Sequence, residues 1–477
     1  MTDSWIIGGQ GTGADAAATN GGGFVNGTAS TFANSQGANG GPLYGIGGCD
    51  VTGPTSNVRI TKDAGPDWSN AVVGTYVYCD FTATYTDGRY AITVVDAAYV
   101  EIALVWSSDT TVNVSVGGAL DNPDDALGLS AAGDTILIPN DDGSVRTYTL
   151  PNNGGNAAMS FVHASGTKAA RITMRGCNND GTDLAEGADR PILTTAVALT
   201  VGMMEFTTYD YYDIIDLVVD SGGAGKANYG LYNIDALATN NRFINVKFCN
   251  AAISNINWTG QYPVFINIES CDAGTHGAGL GCSDGFFHNC SFHDNGDSGL
   301  LTVNSNYNSF TNISVYDNVG YGINLAGTSS QNKIINCLAY GNGNTGIRAR
   351  AATVNNVILN NTSVGNTGDG YGFEGDPTDQ AYFGYNHSYG NSAHCSEVAD
   401  NLFADFLNGH NITGDPLFAS VVDGSEDFTP ALTSPLIAAA LPNLDLAGVS
   451  HLDIGPIQRA LTAGSAILNA NKAGNKQ

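Results

Sequence analysis

Residues 287–295 read FHNCSFHDN, residues 310–318 FTNISVYDN, residues 334–342 IINCLAYGN and residues 358–366 ILNNTSVGN. Each string turns on one asparagine, and the series extends in both directions. Its members are Asn245, Asn267, Asn289, Asn312, Asn336 and Asn360, at steps of 22, 22, 23, 24 and 24 residues. A further copy, FGYNHSYGN (383–391), places Tyr385 in the asparagine slot 25 residues on. Self-similarity at a period of this length is the signature of a solenoid, in which each repeat buries its apolar face only by stacking on its neighbours.

The slots around the asparagine define one coil. Two residues before it stand Phe243, Phe265, Phe287, Phe310, Ile334, Ile358 and Phe383. Three residues after it stand Phe248, Ser270, Phe292, Val315, Ala339, Ser363 and Ser388. This spacing is that of strands, not of an amphipathic helix. Six residues past the anchor a second asparagine recurs as Asn295, Asn318, Asn342, Asn366 and Asn391. Ten past it comes Gly299, Gly322, Gly346 or Gly370, and then a residue that opens another short strand. Like strands are therefore expected to stack in parallel, about 4.7–4.9 Å apart. Equivalent asparagines should hydrogen-bond up the stack, and asparagine also tolerates the left-handed backbone of a tight turn. Glycine belongs where no Cβ fits.

The pattern resembles the right-handed parallel β-helix of the pectate-lyase-like superfamily and of phage tailspikes, over about residues 120–425. The resemblance implies an all-β solenoid. It does not imply an activity, because such folds carry unrelated functions.

The rest of the chain divides by composition. Residues 1–54 are glycine-rich and contain no positive charge, and are read as an anchoring arm. Residues 55–118 alternate like antiparallel strands (YVYCDF, RYAITVV, YVEIALVW), with Asp87-Gly88 as a turn signal. They are read as a small antiparallel β domain. Residues 119–425 are read as the β-helix, opened by a cap helix at Asn122-Pro123 with acids in its first turn, then the strand GDTILIP (133–139). Such a cap shields the open edge of a stack. Residues 426–477 are read as a C-terminal cap and tail. DPLF (415–418), DFTPALTSPLIAAA (427–440) and DIGPIQR (453–459) resemble the closing segment of β-helix repeat proteins, from which Ala438 and Pro456 depart.

Charge narrows the partners. Seventeen Lys and Arg oppose 45 Asp and Glu, for a net charge of −28 over 477 residues. The charge argues against nucleic acid and an anionic membrane surface, both of which it would repel. The acidic surface could draw calcium, but no Asp-x-Asp-x-Asp-Gly loop provides a specific site, and no cofactor is expected. The first basic residue is Arg59 and no apolar segment follows Met1, so no signal peptide is expected. The nine cysteines lack a CxxC spacing and are read as small buried fillers. The eight histidines show no metal-binding spacing, so no metal site is expected.

Three groups of residues are candidates for function. Asp294 and Asp317 share the slot five past the anchor, where stacked carboxylates could share a proton or act as a glycosidase pair. Turn propensity explains the same slot without catalysis, because it continues as Gly341, Gly365 and Gly390. Arg350 falls in register with Glu374, with Arg348 pointing the same way. The pair reads as a ladder ion pair or, in a lyase, as a base beside an acid. His293, Tyr316, Tyr340 and Tyr389 form a column four past the anchor that could stack on sugar rings, or simply pack. No set of these residues specifies an enzyme.

The expectation is a non-enzymatic structural protein of a tailed-phage virion, either a capsid decoration or head fibre or a tail spike. Assembly in the host cytoplasm would account for a β-helix without a signal. Residues 1–118 would contact other virion proteins, the chain would form a homotrimer, and a host-surface polysaccharide is the candidate ligand. The alternatives are a virion-borne polysaccharide depolymerase (lyase or glycosidase) and a bacterial surface adhesin.

Overall fold

A computed structural model describes the strands Ser4–Ile6 and Phe24–Val25 and most residues between 44 and 439, continuously from 237 to 422. The fold is all-β, with a parallel solenoid of about nine turns and a small antiparallel sheet before it in the chain. Two compact units are present, Met1–Val264 and Phe265–Gln477. Among the described residues no helix is long and apolar enough to cross a membrane.

In the first unit, six antiparallel strands close into a barrel: Tyr44–Thr52, Val58–Thr61, Tyr99–Ile102, Gly88–Val95, Tyr76–Phe81 and Thr110–Val116. Alternation along the strands points Cys49, Val51, Val58, Ile60, Val77, Cys79, Ile92, Val100, Ile102 and Val112 into one core. Two details depart from the sequence reading. The barrel's first strand lies inside residues 1–54, the stretch read as an arm. Gly88 pairs with Cys79 as a strand residue, so the connection is longer than an Asp87-Gly88 turn. Ser4–Ile6 adds in parallel to Thr135–Pro139 and so covers that strand's edge. The remainder of the arm, including any anchoring role, falls largely outside the described residues.

The helix Pro123–Leu129 begins at a proline, whose fixed φ suits the first turn. Its Asp124 carboxylate accepts from the Ser160 amide at 2.6 Å, which ties the helix to the strand Met159–Phe161. Deeper in this unit Asp213, nearly buried, accepts from Arg171 and from Arg242 Nε (2.6 Å). The bonds to both guanidinium groups offset the desolvation of the carboxylate.

The second unit shows the repeat in full. One coil contributes strands Phe286–His288, Ser291–His293 and Leu300–Val303. The next contributes Ser309–Thr311, Ser314–Tyr316 and Ile323–Ala326, each paired in parallel with its counterpart. Left-handed backbone makes the corners between strands. Asn289, Asn312, Asn336 and Asn360 have φ of 53°, 57°, 55° and 57°, and Tyr385 takes the same conformation at 55°. Asp294, Asp317, Gly341, Gly365 and Gly390 make a second corner, also at positive φ. Asparagine, aspartate and glycine are the residues that accept this conformation most readily.

The interior is layered by slot. Phe287 stacks on Phe265 (5.0 Å, 7°) and on Phe310 (4.8 Å, 27°). Such pairs contribute about 0.5–1.5 kcal/mol beyond the area they bury. Beside this column runs a buried amide ladder. Asn295, Asn318, Asn342 and Asn366 each donate through Nδ2 to the carbonyl oxygen of the next asparagine, at 2.8, 2.8, 2.8 and 2.9 Å. The same oxygen also accepts the backbone N–H of the preceding rung, as Asn366 does from Asn342 at 3.0 Å. A second ladder, not anticipated from the sequence, runs through Asn308, Asn332, Asn356 and Gln380.

The ladder also explains the glycine slot. A Cβ on Gly299, Gly346 or Gly370 would lie 2.8 Å from the Nδ2 of Asn318, Asn366 or Asn391. The glycines are therefore present for space, not for backbone freedom.

Two predictions follow from this packing. Asn342→Ala removes a rung whose Nδ2 bonds both Val315 O and Asn366 Oδ1, and strands the amides of the coil before it. It should lower unfolding stability by about 3 kcal/mol, read by denaturant titration. The second concerns His387, which is fully buried, with Nε2 2.7 Å from Gly414 O and no partner for Nδ1. Burial lowers its pKa from 6.5 to about 4. Above pH 6.5 the ring is neutral in both states. As pH falls from 6.5 toward 4, only the unfolded chain takes up the proton, so stability is lost across that window. The full effect is about 3 kcal/mol. His387→Gln should flatten that part of the stability–pH curve.

Candidate functional site

Strand alternation on the second unit turns the residues two and four past each anchor outward. Glu269 and Cys271 stand two apart on one strand, and parallel register sets His293 beside Cys271, then Tyr316 beside His293, then Tyr340 beside Tyr316. His293 lies flat on Tyr316, with centroids 4.6 Å apart and planes 4° apart. Its Nδ1 is 2.6 Å from Asp294 Oδ2 and its Nε2 3.6 Å from Glu269 Oε1. Burial alone would lower the imidazole's pKa, but the nearby Glu269 carboxylate and the hydrogen bond to Asp294 carry it up to about 9. Asp294 therefore faces an imidazolium. The Asp317 Oδ1 atom lies 2.4 Å from where a Cβ on Gly341 would be, so the small residue at Gly341 makes room for that carboxylate.

The aromatic column is not an open platform along its length. A hairpin of Phe418–Ser420 and Asp427–Pro430 lies against it. Phe428 packs on Tyr316 (5.4 Å) and Tyr340 (5.2 Å), and Phe418 on Tyr340 (6.4 Å). Desolvation, with Glu426 and other carboxylates nearby, raises the phenol pKa of Tyr316 and that of Tyr340. Tyr389, at the far end, is exposed. This segment, read from the sequence as part of a cap, thus runs along the flank of earlier coils; residues 453–459 and the tail lie outside the described residues.

A second patch lies on the other outward sheet. Strands Ile323–Ala326, Ile347–Ala349 and Tyr371–Phe373 stack so that Asn324, Arg348 and Gly372 are register neighbours. Arg348 lies over the Tyr321 ring at 4.3 Å and pairs with Glu374, which also meets Arg350 Nε at 3.3 Å. Burial lowers the Arg348 pKa. Two guanidinium groups share one carboxylate, leaving one positive charge in a strongly acidic chain. Asn324 is only 6% exposed and its Oδ1 has no hydrogen-bond partner. Buried amide oxygens are rarely left this way.

Of the sequence candidates, the structure joins His293 to Asp294 and to Tyr316, and Arg350 to Glu374. Sequence reading passed over Glu269, Cys271, Tyr321 and Asn324. The repeat carries the signal for Cys271, which stands four past Asn267 as His293 stands four past Asn289.

Residues 232–401 match the model of the right handed beta helix region. The fold is the right-handed parallel β-helix. Pectate lyase Pel9A superposes with a TM-score of 0.51 at 19% identity, over 72% of this chain and 92% of that one. A rhamnogalacturonan lyase gives 0.41 at 16% identity, over 54% and 71%. Tailspike protein 2 from Escherichia coli O157:H7 bacteriophage CAB120 gives 0.41 at 9% identity, over 72% and 48%. No curated protein sequence matches the chain. These likenesses concern the β-helix and not its chemistry.

Removing the covering ring tests the closed column. Phe428→Ala should cost about 3 kcal/mol of stability. It should also increase acrylamide quenching of tyrosine fluorescence, while Leu432→Ala, at an 84% exposed position, should change neither.

Proposed function

We propose that this protein binds an acidic polysaccharide through the sheet face that carries Asn324, Arg348 and Arg350, without cleaving it. The observation that carries this reading is the pair of guanidinium groups, Arg348 and Arg350, that share the single carboxylate of Glu374 on this face. A sugar carboxylate would complement the residual positive charge. Tyr321 and Glu374 hold Arg348 in place, which lowers the ordering cost of binding. Arg350, the more exposed of the two guanidinium groups, is the one positioned to meet a ligand.

Cleavage is the second reading. The observation in its favour is geometric: Arg348 and Arg350 stand beside the Glu374 carboxylate, an arginine-beside-acid arrangement that a lyase could use. A lyase would convert the same ligand to unsaturated ends.

The wider setting we propose is a tailed-phage virion, with the chain a homotrimer attached through residues 1–118. What supports an attachment role there is the closed barrel: it has no free sheet edge, so it can seat on a partner without recruiting strands.

The test is a panel of acidic and neutral polysaccharides in a binding assay on the full chain. Acidic members should bind, and Arg348→Ala and Arg350→Ala should each weaken binding at least about 10-fold, which is about 1.4 kcal/mol. Ultraviolet absorbance of the mixtures should stay flat; a rise abolished by Arg348→Ala would favour the lyase. Binding that is unchanged in both variants sinks the assignment of this face. Mass spectrometry of purified particles, at fixed stoichiometry to the capsid or tail proteins, tests the virion setting.

A further inference from the structure

The ligand atoms of Glu269, Cys271 and His293 all lie within 4.8 Å of one another. The arrangement follows from the coil. Period-two alternation sends Glu269 and Cys271 to one face, and stacking sets His293 opposite Cys271. Ligands held about 2.0–2.3 Å from a tetrahedral zinc stand about 3.3–3.6 Å from each other. The His293 Nε2 to Glu269 Oε1 separation of 3.6 Å already has that value. Cys271 is 2% exposed, so its sulfur sits in a site from which bulk water is largely excluded.

The surroundings of His293 are those of a ligating imidazole. Its Nδ1 is held at 2.6 Å by Asp294 Oδ2, which leaves Nε2 to face Glu269 and Cys271. Metal-bound histidines regularly have their second ring nitrogen on a carboxylate in this way, which fixes the ring and raises its basicity. Stacking on Tyr316 fixes the ring plane further. The donor set is one thiolate, one imidazole and one carboxylate. Calcium and magnesium need an all-oxygen shell of six or more ligands, whereas zinc and cobalt take this mixture.

We propose that Glu269, Cys271 and His293 bind one transition-metal ion, zinc being the best fit, with Asp294 as the positioning carboxylate and a solvent molecule in the remaining position. The ion takes the place of the proton on His293 Nε2 and of the Cys271 thiol proton, both of which pass to solvent. The proposal is independent of the polysaccharide reading, which concerns a different sheet.

Cobalt titration of the full chain, after chelator treatment and dialysis, tests it. One cobalt ion per chain should bind with a thiolate-to-cobalt charge-transfer band, and an equivalent of zinc should bleach that band. Cys271→Ser should abolish the band, and Cys337→Ser, a buried thiol in a later coil, should leave it intact. Asp294→Asn should retain the band and weaken affinity by about 10- to 100-fold. Far-ultraviolet circular dichroism establishes that each variant is folded; should Cys271→Ser fail to fold, the wild-type spectrum and Asp294→Asn still decide. No charge-transfer band in the wild-type protein, or its persistence in folded Cys271→Ser, overturns the proposal.

Discussion

A side-chain amide that bonds its own copy in the next coil is the constraint on which the second unit rests. Asn295 donates to Asn318, and each rung from Asn318 to Asn366 both receives from the rung before it and donates to the next. The chain of amides fixes the vertical spacing and the rotational register of successive coils together. It also dictates other residues: the glycine ten past the anchor has its Cβ volume taken by an amide nitrogen. A buried amide left half-bonded is costly. The ladder therefore favours one register over a coil slipped by a residue, which apolar stacking alone would permit.

That rigidity is what allows outward side chains to act as a set. No single coil holds either candidate set. Glu269 and Cys271 come from one coil and His293 from the next; Asn324, Arg348 and Glu374 come from three. Positions distant in sequence become neighbours at strand spacing, and the interior holds them there. The Phe418–Phe428 hairpin works in the opposite sense. It buries part of the aromatic column and so keeps a ladder of rings from becoming an open sheet face, where further strands or chains could add.

The fold was legible in the sequence because stacking repeats its demands at a fixed period. Asn289, Asn312 and Asn336 announce a left-handed corner, and Phe265, Phe287 and Phe310 an inward column. The site was legible only in part. Arg350 and Glu374 could be paired because both coils have the same length. Glu269 and Cys271 were missed because motif spacing along the chain is blind to ligands a coil apart. The hairpin over Tyr316 could not be foreseen, because a segment that leaves the repeat carries no period to locate it. The barrel's outline was visible in its alternation, but Tyr44–Thr52 was not, since glycine-rich sequence masks a strand.

All nine cysteines are buried, and burial pushes the thiols of Cys290 and Cys337 up to about 12. In the folded state these two are protonated, shielded and chemically quiet. Unfolding makes the chain a different substance, with nine thiols on one polymer exposed to oxidants. Oxidation would then cross-link coils in combinations the stack cannot accommodate. For buried thiols such as Cys290 and Cys337 the redox state of the surroundings matters little once the chain has folded, and a great deal while it folds.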